Sequence, residues 1–201
     1  TVPADCTEEY YGETWAAGGA LSQPRSQLGG AGTQNAGLAF GGFCAGYSFA
    51  IGQCTEEYNG TSWSTGGAVN VGRRTVAGAG TQNAALNAGG IHVGSSYGNC
   101  TEEYDGTSWS HANTRTITRG HGFLGGLQNS AFYAGGITPT TVSCTEEYDG
   151  TNWSTGGALS TARYSGASGG TQTAGIVVGG YTPAVSTCTE EYTSYITSGS
   201  F

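Results

Sequence analysis

The feature that most constrains this chain is a phrase, CTEEY, which occurs five times in 201 residues. Its copies are separated by 44–48 residues and begin at Cys6, Cys54, Cys100, Cys144 and Cys188. The first four copies are each followed by a Trp, as in CTEEYDGTSW, which ends at Trp109. A fixed spacing of this kind predicts repeated structural units stacked on one another.

The segments between the phrases repeat as well. Each contains one or two Arg, then a run of small residues such as AGAGTQNAALNAGG, which closes on a Gly pair. Each unit is therefore predicted to contain four short strands. The first covers the Arg and AGAGT, the second is the run that ends in Gly-Gly, the third is CTEEY, and the fourth starts near the Trp. Asn-Gly or Asp-Gly after three of the phrases predicts a type I′ hairpin turn. Four strands at this period are typical of a propeller blade.

The sequence thus predicts an all-β fold, a propeller of about four four-stranded blades in a single repeat domain, 1–201. The blade-like repeats are expected at 25–72, 73–118, 119–162 and 163–201. Residues 1–24 form an orphan hairpin of a third and a fourth strand. A four-blade ring that closes on itself is favoured. The hairpin could seal that ring or dock on a neighbouring chain, and an arc of a larger ring is a further alternative.

Alternation along a strand assigns roles within the phrase. Tyr104 and Glu102 share one face, and Glu103 and Thr101 share the other. Tyr104 and Trp109 are expected to supply apolar contacts between blades, and an Arg is expected to hold the packed Glu bidentately. Adjacent carboxylates on opposite faces cannot flank one glycosidic bond, so no catalytic pair is predicted. The equivalent structural residues are Glu8, Tyr10, Trp15, Glu56, Tyr58, Trp63, Glu146, Tyr148 and Trp153.

The Gly pair, the Tyr and the Trp about five residues later, at this period, resemble the kelch repeat of β-propellers over nearly the whole chain. The phrase TEEY-(N/D)-G-T-S-W, together with GTQNAGLAFGG, is similar to kelch-like repeats in structural and tail-fibre proteins of marine bacteriophages. The Cys before each TEEY departs from the general kelch pattern. The resemblance implies a non-enzymatic structural and attachment protein, extracellular or on a virion surface. Its partners would be other copies of itself or other assembly proteins.

Two alternatives remain open. The places where the units differ suggest a secreted carbohydrate-binding propeller that recognises a cell-surface glycan, and the resemblance to kelch-type and other enzymatic propellers implies a propeller oxidase or glycosidase as the other. Aromatic and polar loop residues can stack on sugar rings and hydrogen-bond to hydroxyls. The three histidines follow no metal-ligand spacing and the chain has no CxxC, so no metal and no cofactor are predicted. The candidate ligand-binding loop residues are Tyr47, Phe49, His92, Tyr97, His111 and His121.

Charge and hydropathy exclude two classes of partner. Six Arg and no Lys face fourteen acidic residues, which gives a net charge of −8. Such a chain has little to neutralise phosphates, so a nucleic acid is not expected as a partner. No apolar run approaches the roughly 18 residues that a membrane-spanning helix needs, so no membrane insertion is expected.

The cysteines give two candidate disulfides. Equivalent points on adjacent blades are expected to lie beyond the Cα separation of about 7 Å that a disulfide tolerates. Cys44 and Cys54 lie at the two ends of one loop and form a candidate pair. Cys6 and Cys188 are hypothesised to seal the ring, if the terminal strands share a blade. The other two thiols are expected to be buried as small apolar groups or bonded between chains: Cys100 and Cys144.

Overall fold

The computed structural model describes residues 3–43, 52–92 and 96–193. In these ranges the secondary structure is antiparallel β-sheet, and four of the sheets are arranged as the blades of a four-blade β-propeller. The predicted fold class is therefore confirmed. The same ranges contain no helix long and apolar enough to cross a membrane.

The strands follow the repeat closely. The N-terminal hairpin consists of β1 (Glu8–Tyr10) and β2 (Trp15–Ala17). Blade one consists of β3 (Gly29–Thr33), β4 (Ala36–Phe40), β5 (Thr55–Tyr58) and β6 (Trp63–Thr65). Next in the chain come β7 (Arg73–Arg74), β8 (Ala77–Thr81), β9 (Ala84–Ala88), β10 (Ile91–His92), β11 (Thr101–Tyr104) and β12 (Trp109–Ala112). Blade two is β8, β9, β11 and β12, while β7 and β10 pair with each other.

The remaining strands form the last two blades. Blade three consists of β13 (Phe123–Leu127), β14 (Ser130–Ala134), β15 (Thr145–Tyr148) and β16 (Trp153–Gly156). Blade four consists of β17 (Ala167–Thr171), β18 (Ala174–Val178) and β19 (Thr189–Thr193). It has three strands in the described residues, instead of the four that were expected.

The hairpin turn differs from the predicted type. Tyr104 lies opposite Trp109, so four residues, 105–108, join β11 to β12. Gly106 has a φ of +89°, whereas Asp105 is not among the residues with positive φ. The Asp105 carboxylate accepts hydrogen bonds from the backbone N–H groups of Thr107 and Ser108, at 2.8 and 2.7 Å. The two-residue type I′ prediction is therefore wrong, because the Asp side chain closes a longer turn that needs only one left-handed residue.

The hydrophobic core lies between the blades. Each sheet is one layer thick, so its large side chains are buried against the next sheet around the propeller. Three clusters fill the three spaces between consecutive blades. Representative members are Phe40 and Trp109 between blades one and two, Leu86 and Tyr148 between blades two and three, and Phe132 and Val177 between blades three and four.

The four blades form an open series. The inner strands β3, β8, β13 and β17 lie side by side in that order, whereas β3 and β17 share no comparable contact. The N-terminal hairpin packs on blade one: the Tyr58 hydroxyl donates to Glu9, and Trp63 Nε1 donates to Thr7 Oγ1 at 2.8 Å. The closed ring that the sequence favoured is thus absent from the described residues, since the hairpin takes the place of a preceding blade.

The hypothesised ring-sealing disulfide is wrong for the same reason. Cys6 and Cys188 are both free thiols. They precede β1 and β19, which belong to different sheets, so the terminal strands do not share a blade. Cys54 is also free, and its candidate partner Cys44 lies outside the described residues. Two further thiols are free and half-buried: Cys100 and Cys144.

Candidate functional site

Each blade contains an ion pair between its Arg and the first Glu of its phrase; the pair is buried in blades one to three, and in blade four Glu190 is partly exposed. In blade two, Arg73 Nη2 donates to Glu102, and both side chains are fully buried. Arg73 Nη1 donates instead to the carbonyl oxygens of Gly89 and Cys100, at 2.7 and 2.9 Å. The expected Arg–Glu pairing is present. The bidentate prediction is wrong, however, because only Nη2 bonds to the carboxylate while Nη1 bonds to the backbone. The equivalent pairs are Arg25–Glu56, Arg119–Glu146 and Arg163–Glu190.

The Arg residues also lie outside the inner strands, contrary to expectation. Arg73 belongs to β7, and the inner strand of its blade, β8, begins at Ala77. From this position before the strand, the side chain reaches the third strand of the same blade.

Blade three carries an additional buried cation. Arg115 and Arg119 both lie over the ring of Tyr133, with the guanidinium carbon 3.9 and 5.0 Å from the ring centroid. Arg115 Nη1 is 3.6 Å from Glu146 Oε2, which Arg119 already contacts at 3.0 Å. Burial lowers the pKa of Arg115. The opposite oxygen, Glu146 Oε1, accepts hydrogen bonds from the backbone N–H and the hydroxyl of Thr116, at 2.7 and 2.6 Å.

The second Glu of the phrase has a different role, in holding consecutive blades together. The Tyr148 hydroxyl donates to Glu103 Oε1 at 2.8 Å, and Trp153 Nε1 donates to Thr101 Oγ1 at 2.9 Å. Burial, followed by the hydrogen bond to Glu57, raises the pKa of Tyr104 to about 12. The same contacts recur as Tyr58–Glu9, Tyr104–Glu57, Tyr192–Glu147, Trp63–Thr7 and Trp109–Thr55.

A glutamine adds a third contact between consecutive blades. Gln128 Nε2 donates to the carbonyl oxygens of Ala85 and Tyr104, which lie on two strands of the preceding blade, at 3.1 and 2.7 Å. Sequence reasoning missed both this Gln and the second Glu. Their recurrence at fixed positions, as in GTQN and GLQN, was the available signal. Two other glutamines make the same pair of bonds: Gln82 and Gln172.

One position just before the innermost strand of each blade has the same backbone conformation but a different residue type in each blade. A non-Gly residue with positive φ occupies it each time, between +52° and +59°. Such backbone conformations cost energy and cluster at functional sites. Consecutive blades are linked here, since the Ser165 N–H donates to the His121 carbonyl oxygen at 2.9 Å. The four residues differ from blade to blade: Gln27, Thr75, His121 and Ser165.

An aromatic cluster surrounds this position in blades three and four; we define it as His121, Tyr164, Ser165 and Tyr181. The His121 ring meets Tyr164 edge-on at 5.9 Å, and Tyr164 stacks on Tyr181 at 5.7 Å. His121 Nδ1 is 2.8 Å from Ser165 Oγ. Burial and the charge of Arg74 lower the pKa of His121. The lowered pKa favours the uncharged imidazole, and the cluster presents aromatic faces beside hydroxyl groups.

The other candidate binding residues are dispersed. His92 lies half-buried in β10, where burial and the charge of Arg73 lower its pKa. His111 is exposed on β12, opposite Glu102, and Tyr97 forms an isolated bridge with Ile91. In the described ranges, no group of three or more His, Cys, Asp and Glu side chains is placed to hold a metal ion. Two candidates lie outside the described residues: Tyr47 and Phe49.

Comparison with known proteins supports the fold alone. No family model matches the chain, and no curated protein matches it. Among solved structures, the chain is similar to the propeller YjhT, with a TM-score of 0.81 and 14% sequence identity. The match covers 96% of this chain and 74% of that one. At this identity the likeness shows that the chain is a β-propeller.

Proposed function

We propose that the chain is a non-enzymatic structural and attachment propeller in a multi-copy assembly, extracellular or on a virion appendage. The observation that carries the proposal is the use of the repeated carboxylates. Glu102 is held by Arg73 within its blade, and Glu103 accepts from Tyr148 of the next blade. The most strongly repeated chemistry thus serves to fix blades rigidly. The resemblance to kelch-like repeats of phage tail-fibre proteins favours the same role.

The proposal is tested on the purified chain by light scattering after size-exclusion chromatography and by negative-stain electron microscopy. A defined multimer, filament or particle supports it. The alternative hypothesis, that the chain is a propeller oxidase, is tested in parallel by loading the protein with copper and assaying turnover of hexose substrates. A monomer that retains stoichiometric copper and oxidises a sugar would contradict the proposal.

A carbohydrate-binding role is the second candidate, and the aromatic cluster favours it. Exposed Tyr181 stacks on Tyr164, and the Ser165 hydroxyl lies 2.8 Å from His121 Nδ1. Aromatic faces next to hydroxyl groups suit the apolar and polar sides of a sugar ring. Glycan-array binding that Tyr181→Ala abolishes would establish this role. Leu127→Ala, at an exposed apolar residue of β13, is the matched control.

A further inference from the structure

Blade four presents an apolar face that is covered in every other blade. Ile176 and Val178 on β18 are 36% and 41% exposed. In the other blades the residues at these two positions are buried, and all six lie in the clusters against the following blade. They are Leu38 and Phe40, Leu86 and Ala88, and Phe132 and Ala134. Blade four therefore exposes the face that each of the other blades packs against the blade following it.

The N-terminal hairpin carries the complementary half. Tyr10 and Trp15 are 49% and 65% exposed, whereas Tyr104 and Trp109 at the equivalent positions are buried. The ring centroids of Tyr10 and Trp15 lie 5.0 Å apart, which equals the Tyr104–Trp109 separation. The aromatic pair is thus already in the arrangement that the interior interfaces use.

The acceptor groups are in place on blade four, whereas on the hairpin the Tyr10 hydroxyl donates to the Gly12 carbonyl oxygen of the same hairpin. At each interior interface, two residues of one blade donate to the CTEEY phrase of the preceding blade. The Trp donates to the Thr of that phrase, and the Tyr donates to its second Glu. On blade four these acceptors are Thr189 and Glu191, and both are exposed on β19. Thr101, the interior equivalent of Thr189, is buried under Trp153.

We propose that the exposed face of blade four binds the N-terminal hairpin of a second copy of this chain. Trp15 Nε1 donates to Thr189, and the Tyr10 hydroxyl exchanges its bond to the Gly12 carbonyl oxygen for one to Glu191, so that copies join end to end. Three interior interfaces of the same molecule provide the geometry, and this is why a second copy is the favoured occupant. The inference rests on the proposed assembly role and names its partner. Because the two surfaces differ, repetition gives rings or filaments.

The junction is weaker than an interior interface. The hairpin supplies the Tyr and Trp contacts, but it lacks the two inner strands of a blade and the Gln between them. In blade three this Gln, Gln128, bonds to two carbonyl groups of the preceding blade. Each buried aromatic side chain removes about 150–250 Å² from water. We therefore expect reversible association, with a dissociation constant of about 1–100 µM.

Sedimentation velocity over about 1–200 µM tests the junction. Trp15→Ala removes the hairpin anchor, and Val178→Glu places a charge on the blade-four face. Each is expected to weaken association at least about 30-fold, as loss of an interface hot spot does. Leu127→Glu, at an exposed residue of blade three, which supplies neither surface, is expected to leave association unchanged. The substituted side chains are exposed, so circular dichroism should show native folding in all three.

Mixing the two defective variants gives the decisive result. Trp15→Ala keeps an intact face and Val178→Glu keeps an intact hairpin, so the mixture should form a heterodimer and nothing larger. A monomeric wild-type chain, or folded variants that give no heterodimer, overturns the inference. If copies associate but neither variant weakens the association, this junction is wrong while the assembly role stands. If the junctions form and the assembled chain oxidises a sugar, the proposed function fails and the junction stands.

Discussion

Arg73 and Glu102 show what one buried charge requires of its surroundings. Both side chains are fully buried, so removal of the guanidinium leaves a carboxylate without its partner in a low-dielectric interior. Arg73→Met is therefore expected to lower the free energy of unfolding by about 3–5 kcal/mol, measured by chemical denaturation.

Two variants serve as controls for this change. The neighbouring Arg74 contacts Gln27 at an exposed site, so Arg74→Met should cost less than about 1 kcal/mol. Replacing both partners, as in Arg73→Met with Glu102→Leu, removes the unpaired charge and should cost less than Arg73→Met alone. Equal losses from the two arginines would contradict the role assigned to the pair.

Gln128 shows how a single amide can join two blades. Gln128→Ala removes the amide donor from two partly buried backbone carbonyl groups of blade two, and each lost bond is expected to cost about 0.5–1.5 kcal/mol. The denaturation midpoint should fall accordingly. Gln34 is the matched control, because its amide makes only long bonds, to the exposed Tyr10 carbonyl oxygen at 3.3 Å and to Glu9 Oε2 at 3.4 Å, and Gln34→Ala should cost less. A larger effect at Gln34 would show that the interior glutamines do not hold the blades.

At the scale of the single strand pair, the turn after β11 depends on pH. Hydrogen bonds from the N–H groups of Ser108 and Thr107 lower the pKa of Asp105. A lowered folded-state pKa gives stability that is present above the unfolded pKa of about 3.9. This contribution is lost as the pH falls from about 4 toward the folded pKa.

Blade one contains a natural control for this effect. Asn59 accepts the same two turn bonds, both at 2.9 Å, and does not titrate. Asp105→Asn should therefore keep the turn and flatten the dependence of stability on pH below about pH 4. Denaturation midpoints from about pH 2.5 to 6 measure this. Parallel curves for variant and wild type would show that the Asp105 bonds contribute nothing to the acid response.

The elements that the sequence predicts well are those defined by local chemistry. The third and fourth strands were found because Tyr104 and Trp109 flank a Gly-containing turn at a constant spacing. The Arg–Glu pair was expected because a Glu on the packed face needs a cation. The Glu103–Tyr148 bond was missed because its partner lies 45 residues away, and only the stacking of blades brings the two together.

The closure of the ring was beyond the reach of the sequence for a related reason. Open and closed rings share the same local repeat, so nothing within a unit distinguishes them. The Cys6–Cys188 hypothesis depended on closure and failed with it. The aromatic cluster was only partly foreseen, through His121, because Tyr164 and Tyr181 reach it from separate parts of blade four.

For the whole molecule, an open series predicts a gradient of local stability. In a repeat protein each unit is stabilised mainly by its neighbours, and the end units have one neighbour fewer. The strands β9, β14 and β18 allow a matched comparison, since each is paired on both sides within its sheet. We expect amides of β18 to exchange with deuterium at least about 100-fold faster than those of β14 at low protein concentration.

Concentration then separates the end effect from any intrinsic weakness of blade four. If a second copy covers Ile176 and Val178, raising the protein concentration should slow exchange in β18 toward the rate of β14, while β9 stays unchanged. Trp15→Ala should remove this dependence, since that variant cannot cover the face of a neighbour. If β18 is as protected as β14 at all concentrations, the blade-four face is not an open end. Contacts within a single molecule would then have to protect blade four, although its sheet has only three described strands.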